Sequence, residues 1–105
     1  MTPVARLCAE LSAIPGVATG RSRFGTGQMR AWRVGGREFA HLHSETVLDL
    51  RLPRAAQLRL RTDPRAHFRA GASQWLEIEF HSERDVSDLL VFAKEAAAAA
   101  RARAR

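Results

Sequence analysis

Two histidines separated by one residue are the most suggestive chemical feature of this sequence. His41 and His43 lie in the segment GGREFAHLHSE, and residues two apart on a β-strand project from the same face. Glu45 follows two residues later and is expected to reach that side just beyond the strand. Such side chains could ligate a metal ion, line an organic-ligand pocket or transfer protons, or they could simply hydrogen bond on a polar sheet face.

A metal ion is not the expected occupant of this site. The His-x-His spacing resembles the metal motif of cupins, but Glu45 follows His43 more closely than the cupin pattern requires, and the chain is too short for a full cupin barrel. A third ligand would have to come from His67 or from the strand face that carries Glu77 and Glu79. We therefore expect no metal and no other cofactor.

The acidic residues of the later strands are interpreted as surface charges. Glu77 and Glu79 are spaced as an acid and base pair could be, but the same spacing describes a solvated sheet face. Pairing with Arg51 or Arg30 on neighbouring strands would explain them without catalysis. Asp49 receives the same interpretation.

Helical periodicity defines the two ends of the chain. Apolar residues at helical spacing predict an amphipathic helix over residues 3–14 and a C-terminal helix from residue 83 to near the end. A short helix is expected over residues 53–61. The predicted fold class is α+β, with an N-terminal helix, a four-stranded antiparallel meander, a short helix, a further strand and a C-terminal helix.

The middle of the chain has the composition of a sheet. Glycine-rich links at Gly25-Thr26-Gly27 and Gly35-Gly36 separate stretches of β-favouring residues, and short links require antiparallel pairing. A further strand is expected over residues 74–80, after a loop. The four meander strands are predicted over residues 17–24, 28–34, 37–43 and 46–52.

Alternation distinguishes the two faces of this sheet. Leu48 and Leu50 fall on one face and Asp49 on the other, and the segment QWLEIEF alternates in the same way. One apolar and one charged face indicate a sheet covered by helices on one face only. If Trp32 and Trp75 share the charged face with the histidines, they would wall an aromatic pocket.

Composition narrows the class of protein further. The formal net charge is +6, from 17 basic and 11 acidic residues, but three of the arginines belong to the tail at 101–105. We expect one domain over residues 1–100 followed by a frayed arginine-rich tail. The single Cys8 cannot form an internal disulfide and is expected to be a buried small apolar residue. No long apolar segment is present, which predicts a cytoplasmic protein without a membrane partner.

The motifs of roughly residues 14–95 follow one order, and the residues that carry it are Gly36, Glu38, His41, His43, Asp49, Pro53, His67, Ser73 and Trp75. This order resembles the luciferase-like domain of small bacterial proteins and fungal luciferases. The resemblance implies a luciferase-like domain protein of bacterial type that binds a small organic ligand over the polar sheet face. The fungal members are cofactor-independent oxygenases of a polyphenolic pyrone, whereas the resemblance leaves catalysis open for this chain.

The same resemblance supplies the candidate site. If the domain is catalytic, His41, His43 and His67 are the candidates for polar contacts or proton carriers, and Trp75 for a wall of the pocket. The expected ligand-binding set is Glu38, His41, His43, His67, Ser73 and Trp75.

The alternative function is nucleic-acid binding. The order of elements also resembles the MmcQ/YjbR family, which implies a double-wing DNA-binding module. Asp49, Glu77 and Glu79 on the sheet face would repel phosphates, so this function is not favoured. A protein-interaction domain is the third class, and the oligomeric state is left open. The cations that would contact nucleic acid are Arg21, Arg23, Arg30, Arg33 and the arginine tail.

Overall fold

A computed structural model of the chain describes residues 1–23, 29–71 and 73–103. The predicted α+β class is confirmed. Within the described residues the helices are α1 (Pro3–Ser12), α2 (Arg54–Leu58) and α3 (Glu83–Arg103). The strands are β1 (Val17–Arg21), β2 (Arg30–Val34), β3 (Arg37–Ser44), β4 (Val47–Arg51), β5 (Ala66–Phe68) and β6 (Trp75–Glu79). They form one antiparallel sheet in the order β1-β2-β3-β4-β6-β5.

The first helix begins as the sequence predicts. Thr2 is the N-cap, its Oγ1 accepts a hydrogen bond from Ala5 N at 3.2 Å, and Pro3 occupies the first turn, where its missing N–H costs nothing. The helix ends at Ser12, two residues before the predicted end. Its buried residues, which include Leu7 and Leu11, face the core.

The hairpin between β2 and β3 confirms the predicted glycine turn. Gly35 and Gly36 have φ of 60° and 77°, a left-handed conformation that glycine adopts without a steric penalty. The other predicted turn, Gly25-Thr26-Gly27, lies outside the described residues, as does Phe24 at the expected end of β1.

The strand β5 corrects one prediction, because residues 66–68 were expected to form part of a loop. Ala66 pairs with Ile78 and Phe68 with Leu76, which makes β5 an edge strand beside β6. Three residues are too few for a strand to be recognised from alternation. The partner of β5 is β6, which comes later in the chain. No turn signal before β5 therefore marks it as an arm of a hairpin.

The helices α1 and α3 pack on one face of the sheet. Core residues of both helices contact Leu48, Leu50 and other apolar strand residues in one cluster. Trp32 belongs to this cluster, is fully buried and donates a hydrogen bond from Nε1 to Ser12 Oγ at 3.0 Å. The condition for a pocket walled by both Trp32 and Trp75 on the charged face is therefore not met. Trp32 lies on the helix side instead.

The C-terminal helix continues through Arg103, beyond the expected end of the domain at residue 100. Arg101 Nη2 donates to Pro15 O at 2.5 Å, and Arg103 Nη1 donates to Gln74 Oε1 at 2.7 Å. These contacts hold the last turn against the sheet. No helix in the described parts of the chain combines the length and hydrophobicity needed to cross a bilayer.

Cys8 is buried in the core, as predicted. Burial raises the pKa of its thiol, which keeps the sulfur protonated and unreactive at neutral pH.

Docking of α3 is expected to depend on its apolar face. Leu89 is 2% exposed, and Leu89→Ala should lower the free energy of unfolding by about 2–4 kcal/mol because it leaves a cavity. Val91 lies on the same helix but is 59% exposed, so Val91→Ala should change that free energy by less than about 0.5 kcal/mol. Urea denaturation measures both values, and equal losses would contradict the packing described here.

Candidate functional site

A row of polar residues crosses the sheet perpendicular to its strands. The Cα partners run from His41 on β3 to Asp49 on β4, Glu77 on β6 and His67 on β5. Because strand residues alternate between faces, this row lies opposite the face that carries Leu48 and Leu50. It is the sheet face on which neither α1 nor α3 packs.

A β-bulge brings Glu38 onto the same face as His41. The register between β2 and β3 shifts after Trp32, so that Phe39 is an extra residue on β3. Simple alternation would put Glu38 and His41 on opposite faces, because they are three residues apart. The bulge corrects the phase, so Phe39 packs in the core while the carboxylate and the imidazole meet.

His41 lies between two buried carboxylates. Its Nδ1 is 2.8 Å from Glu38 Oε2, and its Nε2 is 2.7 Å from Asp49 Oδ2. All three residues are buried, at 4%, 6% and 1% exposure for His41, Glu38 and Asp49. Each ring nitrogen of His41 thus contacts a carboxylate oxygen, whereas the second oxygen of Asp49, Oδ1, is buried without a hydrogen-bond partner among the described residues.

Further donors complete the coordination of Glu38. Ser22 Oγ donates to Oε2 at 2.7 Å, Arg23 N donates to Oε1 at 3.0 Å, and Arg33 Nη2 donates to Oε1 at 3.1 Å. Glu38 on β3 therefore joins the segment that follows β1 to β2 at the polar face. Sequence reasoning placed Glu38 in the site but had no signal for Ser22.

A second bulge places His43 beside the same aspartate. Leu42 pairs with Leu48 and Ser44 with Val47, which leaves His43 as the extra residue on β3. His43 Nδ1 is 3.4 Å from Asp49 Oδ2, and Nε2 is 3.8 Å from Glu77 Oε1. Both imidazoles thus lie on one side of the sheet, as predicted from their spacing. His41 is buried, whereas the His43 side chain is 51% exposed.

Glu45 does not join this cluster. It lines a cavity with residues of α1, including Val4 and Cys8, on the helix side of the sheet. The bulge at His43 explains the error, because an extra residue reverses the alternation that would have carried Glu45 to the polar face.

The interpretation of the acidic residues as surface charges is wrong for Asp49, which is 1% exposed. The expected arginine partners also differ from those observed. Arg51 donates to Gln74 Oε1 at 3.1 Å, and the Arg30 guanidinium lies 5.6 Å from the Trp32 ring centroid. Glu77 faces His43 instead, across 3.8 Å.

Trp75 lies against the buried imidazole. The ring centroids of Trp75 and His41 are 4.8 Å apart, with the planes tilted by 37°. Ser73 precedes this strand, and its Oγ accepts a hydrogen bond from Trp75 N at 3.1 Å. Ser73 therefore shapes the start of β6, and Trp75 is the aromatic side chain that contacts the site.

His67 is paired at the outer part of the face. Its Nε2 hydrogen bonds to Glu79 Oε2, and His81 Nε2 lies 3.3 Å from Glu79 Oε1. The hydrogen bonds from His67 and then His81 hold the pKa of Glu79 below its usual range. With these two, all four histidines of the chain lie within 4.0 Å of a carboxylate on this face.

Among the residues that the structure describes, one group of side chains could hold a metal cation, and it consists of His43, Asp49 and Glu77. Each offers a ligand atom within 4.8 Å of the others, a span that a divalent ion could bridge. Arg69 opposes this use, since its Nη2 lies 3.4 Å from Asp49 Oδ2 and already supplies positive charge. The expectation that no metal binds stays a prediction.

Comparison with known proteins adds one positive result. A family model described as "Luciferase domain" matches residues 36–96, more than half of the chain. That range contains β3, both bulges of its register and every polar residue from Glu38 to Glu79. No curated protein and no solved structure matches the chain.

The buried aspartate should matter more for stability than its exposed neighbour. Asp49→Asn removes the charge that accepts from His41, so we expect a loss of about 2–4 kcal/mol in the free energy of unfolding. Glu77 is the Cα partner of Asp49 on β6, and the Glu77 side chain is 32% exposed. Glu77→Gln should therefore lower the free energy of unfolding by less than about 1 kcal/mol. Urea denaturation of both variants tests this, and equal losses would exclude a buried polar anchor.

The pairing of Glu79 should be visible in its titration. His67→Gln removes the largest cause of the lowered pKa, so the pKa of Glu79 should rise toward its ordinary value. A carboxylate with a lowered pKa stabilises the fold above its unfolded pKa, and this contribution is lost as the pH falls through the folded pKa. Carbon-detected NMR titration of the carboxyl group measures the change. An unchanged pKa in the variant would refute the pairing.

Proposed function

Because the chain belongs to the luciferase domain family, we propose that it binds a small organic ligand over the polar sheet face, with His43 as the principal contact and proton acceptor. The observation that carries this proposal is a half-exposed imidazole held against a buried carboxylate. His43 is accessible to a ligand, whereas Asp49, 3.4 Å behind it, is not. Such a pair is the usual arrangement of a positioned acid or base.

The two nitrogens of His43 have different surroundings. Nδ1 lies 3.4 Å from the buried Asp49 Oδ2, while Nε2 lies 3.8 Å from Glu77 Oε1, beyond hydrogen-bond distance. Among the described residues, none hydrogen bonds to Nε2. This nitrogen is therefore the atom that we assign to the ligand.

The exposed Nε2 of His43 is the atom that would accept a proton from the ligand. A proton that leaves a ligand hydroxyl for Nε2 makes the ring an imidazolium and the ligand an anion. Asp49 and Glu77 are the carboxylates that lie beside this ring, at 3.4 and 3.8 Å.

The buried residues hold the accessible side chains of the site in place and offer little surface to the ligand. Glu38 and His41 are too enclosed to offer much surface, but they hold Asp49 in place through hydrogen bonds. Trp75 contacts His41 and offers a planar apolar surface beside it. We therefore expect a ligand with an aromatic ring and an ionisable hydroxyl group, with His67 contacting its outer edge.

A fluorescent hydroxylated ring compound tests this proposal. 7-Hydroxycoumarin absorbs at longer wavelength as its anion, so binding and proton loss have separate signals. We expect the protein to bind it with an increased anion fraction, and His43→Gln to weaken binding about tenfold through loss of one charge-assisted hydrogen bond. 7-Methoxycoumarin, which has no proton to lose, should show no such spectral change.

The matched control for this experiment is His81→Gln. His81 is also exposed and also paired with a carboxylate, but it lies after β6 and contacts Glu79. Its replacement should leave binding unchanged. Equal weakening by the two substitutions, or failure of the wild-type protein to bind the coumarin, would refute the proposal.

Nucleic-acid binding is the less favoured alternative. One of its expected cations, Arg33, donates to the buried Glu38 and to Arg21 O. Glu77 and Glu79 add negative charge to the same sheet face. The test is salt-dependent binding of a mixed oligonucleotide. Binding by the wild-type protein that disappears in the Arg21→Gln variant would favour this alternative instead.

A further inference from the structure

A cavity of about 360 Å³ lies between α2 and the segment that follows β5. Three arginines, Arg54, Arg61 and Arg69, line it together with the apolar side chains of Leu58 and Phe68. Leu58 is 64% exposed and Phe68 is 45% exposed, although both are large apolar residues. The cavity therefore combines a cationic lining with apolar surface that the fold itself leaves uncovered. One lining residue, Arg69, also reaches the His43 site, because its Nη2 lies 3.4 Å from Asp49 Oδ2.

Two of the three arginines of this cavity, Arg54 and Arg61, have no carboxylate partner among the described residues. A neighbouring cavity shows the contrast, because its Arg65 binds Asp63, Asp85 and Asp88 at 2.7 to 3.1 Å. In the part of the chain that the structure describes, no acidic residue contributes to the lining of the first cavity.

Each guanidinium of the first cavity has its own surroundings. Arg54 donates to the carbonyl oxygen of Gly71 at 2.9 Å. Arg69 lies 3.4 Å from Asp49 Oδ2. Within the described residues, Arg61 has no carboxylate within 4.0 Å. Among the described residues, the charges of Arg54 and Arg61 are therefore not paired with a carboxylate, whereas that of Arg69 is shared with Asp49.

We propose that this cavity binds an organic carboxylate with an aromatic or aliphatic body. Guanidinium groups recognise carboxylates through two parallel hydrogen bonds, and Leu58 and Phe68 would cover the body of the molecule. The volume is within the range of small-molecule sites. The proposal concerns a second site and does not require that His43 bind any ligand.

The first test compares two molecules that differ in charge. Isothermal titration calorimetry with 2-naphthoate and with its neutral amide, 2-naphthamide, uses the same apolar body. We expect 2-naphthoate to bind with a dissociation constant of about 1 mM or lower, and 2-naphthamide about tenfold more weakly. Added salt should weaken only the binding of the carboxylate.

Substitutions locate the binding. Arg61→Gln should weaken 2-naphthoate about tenfold, because it removes one charged donor. Leu58→Glu should abolish binding by placing a negative charge in the cavity, and Leu58 is exposed enough for the fold to accept it. Arg84→Gln is the matched control, since Arg84 is also exposed but lines the cavity that contains Arg65.

Several results would overturn the proposal. These are absence of 2-naphthoate binding at millimolar concentration, equal binding of the acid and the amide, and equal weakening by Arg61→Gln and Arg84→Gln. Binding of a mixed oligonucleotide by a protein that does not bind 2-naphthoate would assign the arginines to nucleic acid instead. His43→Gln should leave 2-naphthoate binding intact, so this test and that of the coumarin site fail independently.

Discussion

The polar half of this domain depends on one imidazole held between two carboxylates. His41 hydrogen bonds to Glu38 on its own strand and to Asp49 on the next, and all three side chains are removed from water. Burying any one of them alone would cost several kcal/mol, since an isolated charge or polar group loses its hydration. His41 hydrogen bonds to one oxygen of each carboxylate, so its removal would take a buried partner from both Glu38 and Asp49. This requirement links the register of β3 and β4 to the chemistry of the site.

The two bulges of β3 are what make that arrangement compatible with a packed core. In an ideal strand, Phe39 would share the polar face with His41, and Glu38 would lie on the core face. The structure shows the reverse for both residues. The extra residue Phe39 resets the alternation before the histidine, and the extra residue His43 breaks it again immediately afterwards. The first bulge creates the buried support, and the second presents an imidazole to solvent beside it. A rigid sheet thereby carries one enclosed and one accessible histidine on a single aspartate.

Charge is distributed unevenly around this sheet. The carboxylates of the polar face pair with histidines, while Arg54 and Arg61 near α2 have no acidic partner among the described residues. Arg69 is the residue that connects the two regions, because it lines the arginine cavity and also reaches Asp49. A basic net charge in this protein thus does not describe a uniform cationic surface. Three of the guanidinium groups line one cavity, next to a sheet face on which histidines pair with carboxylates.

The sequence alone determined the order of the three helices and of the five strands other than β5, because helical spacing, strand alternation and the Gly35-Gly36 turn are local signals. It also determined that His41 and His43 share a side of the sheet. It did not determine the burial of Asp49, the position of Trp32 on the helix side or the strand β5. These features depend on pairing between distant residues and on bulges, which shift the alternation by one residue without changing composition. Only the tertiary structure decided them, because burial and register arise when strands meet, not within any one strand.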